Sequence, residues 1–144
     1  MKRDRDSTDF RAVRASHAHH ETDCPFCDPP KGRVIAENEL ALAIRDAYPV
    51  TELHTLLIPK RHLIDYFAMS VSEVRACDLL LHAQAKLIKE ADASVSGFNI
   101  GMNAGVSAGQ TVFHAHMHLI PRRASDVPLP RGGVRNVIPG RGNY

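Results

Sequence analysis

Residues 112–120 read Val-Phe-His-Ala-His-Met-His-Leu-Ile, so His114, His116 and His118 alternate with Ala115, Met117 and Leu119. Alternation with a period of two marks a strand with one face buried and one face open. Same-face residues on a strand lie roughly 6.6 Å apart. One face of this strand is then apolar, and the other is a row of three imidazoles. Such a row stabilises a sheet poorly, because imidazoles are bulky, titrate near neutrality and repel one another once protonated. Any fold for this chain must bury Ala115, Met117 and Leu119 while leaving the imidazoles room for chemistry.

The remaining pattern supplies the rest of a sheet. Residues 34–37 and 40–44 flank Asn38-Glu39 and predict a hairpin. Residues 53–58 predict a third strand, ended by Pro59, which has no N–H for a central ladder. Ser70-Val71-Ser72-Glu73 is a capping box. Apolar residues at 74, 77, 80, 81, 87, 88 and 91 follow at helical spacing with Gln84 on the edge, which predicts one long helix over 71–91. Cys77 falls on its core face and His82 one position off it. Residues 97–103 predict a fourth strand and 112–120 the fifth, with a glycine-rich loop between them. The order β-β-β-α-β-β with short connections predicts an α+β fold, a five-stranded mainly antiparallel sheet with one long helix.

A length of 144 residues suits one domain. Residues 1–22 are polar without period and are expected to be a mobile N-terminal tail carrying His17, His19 and His20. The folded domain is expected over 23–123. Residues 124–144 form a basic extension rich in Pro and Gly, expected to lie over the domain or a partner with Arg131 or Arg135 reading substrate phosphate, the alternative being a solvated basic tail. A net charge of +2 is too small to argue for nucleic acid, and no such partner is expected. No apolar run reaches the ~20 residues that cross a bilayer, so no membrane partner is expected either. The charged opening Met1-Lys2-Arg3-Asp4-Arg5-Asp6 lacks a signal peptide's apolar segment. Three cysteines, an odd number, then point to a reducing compartment and a cytoplasmic protein rather than a disulfide framework.

Two chemistries use a histidine row of this kind. His-x-His can hold a catalytic metal, and a neutral imidazole can attack phosphorus while its neighbours bind the phosphate oxygens. The preceding loop favours the second. Gly105 and Gly109 permit close backbone approach, and Asn103, Ser107, Gln110 and Thr111 add donors suited to an anion. Cys24-Pro25-Phe26-Cys27 is a separate motif. A redox role would need a helix there, which Asp28-Pro29-Pro30-Lys31-Gly32 forbids. Half of a structural zinc site is the stronger reading, against two simple buried thiols.

Residues 108–122, Ala-Gly-Gln-Thr-Val-Phe-His-Ala-His-Met-His-Leu-Ile-Pro-Arg, resemble the signature of the histidine triad (HIT) superfamily of nucleotide hydrolases and transferases. The likeness extends to His54-Thr55-Leu56-Leu57-Ile58-Pro59-Lys60-Arg61-His62 and to residues 97–103, covering about 24–122 and leaving both tails outside. The resemblance implies a HIT-like domain in which His116 attacks the α-phosphorus of a nucleotide to give a nucleotidyl-histidine. His118 and the backbone near Gly109 would hold non-bridging oxygens. Gln110 and Thr111 would contact the bridging or leaving oxygen, Asn103 the phosphate and ribose region, and Asp46 the ribose hydroxyls. His54 would face the same pocket. The carbonyl of His114 would fix the tautomer of His116. Zinc-containing branches complete the CxxC pair with two histidines, here giving Cys24, Cys27, His62 and His114 as ligands of a structural Zn²⁺. The implied substrate is a purine nucleotide or dinucleotide, such as a dinucleoside polyphosphate or an adenylated phosphoramidate. A homodimer is implied as well. Two alternatives stand beside this reading: a nucleotide-binding regulatory module with slow turnover, and a zinc hydrolase using His114, His116 and His118 as ligands.

Overall fold

The computed structural model describes residues 20–144. His17, His19 and most of the expected N-terminal tail lie outside the described residues. Five strands, β1 (Val34–Glu37), β2 (Ala41–Arg45), β3 (Thr55–Pro59), β4 (Val95–Gly101) and β5 (Met117–Arg123), form a sheet in the order β1-β2-β3-β5-β4. Every neighbouring pair is antiparallel. The helix α1 (Val71–Ala91) packs on one face. This is the expected α+β architecture.

Local chemistry explains the elements. Asn38 turns the β1–β2 hairpin by accepting from the amides of Leu40 and Ala41 at 3.2 and 2.9 Å. In α1 the Ser70 hydroxyl accepts from Glu73 N at 3.1 Å and the Glu73 carboxylate accepts from Ser70 N at 3.0 Å, so the capping box is closed. Strands β2 and β3 read as continuous apolar runs because both of their faces are covered. Ala41, Ala43 and Leu57 join Leu119 beneath Ala76, Cys77, Leu80, Leu81 and Ile88 of the helix. Leu42, Ile44, Leu56 and Ile58 form a smaller cluster on the opposite face with Phe26 and Val34. That second face carries the site, since His118 is in register with Leu56.

Several boundaries differ from expectation. Strand β5 begins at Met117, so of the three histidines only His118 sits in the ladder. Residues 112–116 run irregularly alongside the segment after β3, held by Ala115 N donating to Leu63 O at 2.8 Å. Strand β4 lies two residues earlier than expected, which leaves Asn103 beyond its end. Pro59 is the last residue of β3 rather than the first beyond it. On α1, Leu87 is 53% exposed and Ala91 is also open, whereas Gln84 is buried and accepts from Arg45 at 3.3 Å. Gln84 and Ile88 stand one turn apart on the sheet-facing stripe. Leu87 is rotated about 100° away from Ile88.

Beyond β5, Arg122 bonds Asn99 at 2.7 Å and grips the carboxylate of Asp126 with two bonds of 2.8 and 2.7 Å. Residues Gly133–Val137 form a short 3₁₀ turn. The guanidinium carbons of Arg131 and Arg135 lie 5.1 and 4.6 Å from the centre of the Tyr144 ring. Arg131 and Arg135, one of them expected at substrate phosphate, thus both stack on Tyr144 within the extension. Among the described residues no helix is long and apolar enough to cross a membrane.

Candidate functional site

His114 is fully buried, and its Nε2–H donates to the carbonyl of Pro59 at 2.7 Å. The proton is thereby fixed on Nε2, and the Nδ1 lone pair faces Cys24 Sγ at 3.4 Å and Cys27 Sγ at 3.5 Å. His62 Nδ1 lies 3.2 Å from Cys27 Sγ. A zinc tetrahedron with two sulfur and two nitrogen ligands has edges of roughly 3.3–3.8 Å. The four donors, all within 4.8 Å of one another, match that size and chemistry. Burial lowers the pKa of His114 to about 4, with the Pro59 carbonyl opposing and His62 and His116 adding. The imidazole is thus neutral, as a metal ligand must be. Burial also raises the Cys27 thiol, an environment in which the thiolate needs a cation. The expected quartet Cys24, Cys27, His62 and His114 is assembled and fits zinc.

A second cluster, Asp46, His54 and His118, also brings its donor atoms within 4.8 Å. Its hydrogen bonds make it something else. Val50 N–H donates to His54 Nδ1 at 3.1 Å, which forces the His54 proton onto Nε2. That Nε2–H points at His118 Nδ1, 2.9 Å away. A metal on His54 Nε2 would demand a proton on Nδ1, against the Val50 amide. The cluster is a proton-ordering chain, and its far end is a proton on His118 Nε2. Burial lowers His118 to about 4, helped by His116 and His54 and opposed by Asp46. Burial lowers His54 too, again opposed by Asp46, whose carboxylate stands 3.6 Å from it. The other Asp46 oxygen accepts from Tyr48 N at 2.8 Å.

His116 lies between the two clusters. Its Nδ1–H donates to the carbonyl of His114 at 2.8 Å. Its ring is flanked by Phe26 (centroids 4.9 Å, 65°) and His118 (5.1 Å, 67°), and the residue is 9% exposed. With Nδ1 carrying the proton, the tautomer that attacks has its lone pair on Nε2, which has no hydrogen-bond partner among the described residues. The reading of all three histidines as ligands of one metal does not fit, because His114 points its lone pair at the thiols and its Nε2–H at the Pro59 carbonyl.

The glycine-rich loop approaches the triad in sequence and is pinned at Gln110. This side chain is 4% exposed; it accepts from Gly105 N at 2.8 Å and donates to Ile64 O and Val112 O at 2.6 and 3.1 Å. Both amide protons are used, so Gln110, expected at the leaving oxygen, holds the loop in this conformation. Gly109 adopts φ 89°, a left-handed backbone that suits glycine. Gly109 and Thr111 are exposed and Asn103 is half-buried. Sequence reasoning missed Phe26 and Glu21, whose amide donates to Cys27 Sγ at 3.3 Å and whose carboxylate stands 3.6 Å from His62. Phe26 had a signal: it is the apolar residue inside the CxxC turn.

The profile of the HIT domain family matches residues 30–125, and the chain belongs to that family. It is 42% identical over 103 residues to an uncharacterised HIT-like protein of Mycoplasma genitalium, covering 69% of this chain and 72% of that one. It is 34% identical over 113 residues to an adenylylsulfatase of Arabidopsis thaliana, covering 74% of this chain and 55% of the relative. Among solved structures, a Zn-bound histidine triad family protein from Mycobacterium smegmatis is 38% identical with a TM-score of 0.66, covering 72% of this chain and 78% of that one.

Proposed function

We propose that the protein is a nucleotide hydrolase or nucleotidyltransferase working at an α-phosphate through His116, with structural zinc on Cys24, Cys27, His62 and His114. The supporting observation is the pair of fixed tautomers: a bare lone pair on His116 Nε2 beside a proton on His118 Nε2. A nucleophile and an oxyanion donor are what phosphoryl substitution at histidine requires. His116 Nε2 forms a bond to the α-phosphorus as the bond to the leaving oxygen or nitrogen breaks. His118 donates to a non-bridging oxygen as charge develops there. Water then attacks the phosphorus of the nucleotidyl-histidine, breaking the bond to His116 Nε2 and releasing the nucleoside monophosphate, whereas another acceptor would leave carrying the nucleotidyl group. Asp46 serves the ribose hydroxyls, and Asn103, Gly109 and Thr111 the phosphates. His114 acts by orienting His116 through its carbonyl.

The substrate is read as a purine nucleotide or dinucleotide carrying a phosphoanhydride or phosphoramidate. The likeness to an adenylylsulfatase favours an adenylyl group. A homodimer belongs to the same proposal, with β4, at the edge of the sheet, available to pair. The decisive experiment incubates the protein with adenylyl-labelled substrates of different leaving groups. Acid-labile adenylate on His116 and loss of at least ~10³-fold in kcat for His116→Ala are expected. Full hydrolysis by His116→Ala would remove the reading.

A further inference from the structure

The CxxC turn contributes more than two sulfurs. Phe26 stands between Cys24 and Cys27, and its ring reaches two ways. One contact is with the cluster of Leu42, Ile44, Leu56 and Ile58 on the front of the sheet. The other is with the His116 ring at 4.9 Å, and more distantly with His114 at 6.1 Å. His116 has one hydrogen bond, at Nδ1, which leaves the ring free to swing about that bond. Phe26 on one flank and His118 on the other oppose that swing. His118 is itself held by His54. Phe26 is held by its packing on that apolar cluster and by its chain, which is tied to His62 through Glu21 and to β2 through Arg33. The segment before β1 has an ion pair between His20 and Asp28, the Cys24 N to Glu21 O bond, the Glu21 N to Cys27 Sγ bond and the approach of the two sulfurs to His114 and His62.

We propose that Phe26 is a positioning residue for His116 and that zinc on the flanking cysteines holds it there, so that occupancy of the metal site sets the aim of the attacking ring. This rests on the reading of His116 as nucleophile. Losing the zinc frees both ends of the Cys24–Cys27 turn, and the Phe26 ring leaves the flank of His116. A reacting atom displaced by an ångström loses on the order of 10²-fold in rate. Removal of a single flank is expected to lower kcat about 10-fold, with KM nearly unchanged, because the ring steers the attack rather than the ligand.

The test uses the 144-residue chain, histidine-labelled with ¹⁵N and loaded with zinc. The ring protons of His116 sense the Phe26 ring current directly, whether or not the protein turns over. Chelation of the wild type is expected to move the His116 ring resonances, and re-addition of zinc to restore them. In Phe26→Leu with its zinc still bound, His116 is expected at the displaced position already, with no further movement on chelation and kcat down about 10-fold. Phe26→Tyr is expected to restore both. Unmoved His116 resonances on chelating the wild type overturn the proposal, whatever the variants do. Equal movement in wild type and Phe26→Leu overturns it too, since zinc then acts through His114 alone. Should His116→Ala keep full hydrolysis, the nucleophile assignment fails while the resonance comparison still decides the link from zinc to Phe26.

Discussion

His54 gives His118 a proton in one fixed place, and that is the finest-grained requirement of the site. Without the His54 Nε2–H, His118 is free to carry its own proton on Nδ1 and present a lone pair to the phosphate oxygen. His54→Leu is therefore expected to lower kcat on the order of 10²-fold with little change in KM, and His54→Gln, whose amide can still donate, to lose less. Equal kcat for both variants and wild type in steady-state assays would dismiss the chain. The same burial has a thermodynamic consequence. His118 has its native pKa lowered to about 4, below the ordinary value near 6.5 of the unfolded chain. As pH falls below about 6.5 the unfolded chain takes up a proton that the native state refuses, so stability present above that pH is lost towards 4. Urea midpoints at pH 7.5, 6 and 5 should fall in that order, and His118→Gln should make the series shallower, leaving the share that His114 and His54 contribute in the same direction. This tautomer network was half legible. His54, His116 and His118 stand out as residue types, and family resemblance supplied the His114 carbonyl for His116, but the Val50 N–H that sets the proton of His54, and through it that of His118, is a backbone group invisible until the chain is folded.

At the scale of elements, the start of α1 joins a local signal to a distant one. The Ser70–Glu73 capping box spans four residues and could be read from the sequence because both partners are neighbours in the chain. Arg61, which grips the same Glu73 carboxylate at 2.7 and 3.1 Å, reads in sequence only as part of a basic run. Burial pushes the Glu73 carboxyl up, but its bonds to Arg61 and Ser70 more than offset this and leave it lowered. Glu73→Ala would strand a buried guanidinium and open the cap, at an expected cost of about 3–5 kcal/mol in denaturant titrations. Breaking the exposed Lys60–Glu37 pair should cost about 0–1 kcal/mol. A loss below 1 kcal/mol for Glu73→Ala would show that the helix does not depend on this pair. The misplaced start of β5 has a comparable origin. Alternation persists from His114, but the backbone of 114–116 is bonded to the segment after β3 and to the His116 ring instead of a neighbouring strand. Side-chain period alone does not say where a ladder begins.

Across the whole molecule, the zinc quartet draws on three segments: the turn before β1, the residues just after β3 and the run into β5. Cys27 is 35 residues from His62 and 87 from His114. An ion bound there closes two long chain segments at once and stabilises only the folded state, by mass action. The motif was readable because CxxC is local, whereas the histidines that complete it depended on family resemblance. Zinc binding must also drive protons off the thiols, and burial raises the Cys27 thiol above its ordinary range. Affinity should then fall as pH falls. The melting temperature of the zinc-loaded chain is expected to exceed that of the chelated chain clearly at pH 8, with the gap narrowing steadily towards pH 6. Scanning calorimetry across that range reads the gap directly. A gap independent of pH would mean that the thiols do not titrate on binding, and no gap at all would mean that these four side chains close the fold without a metal.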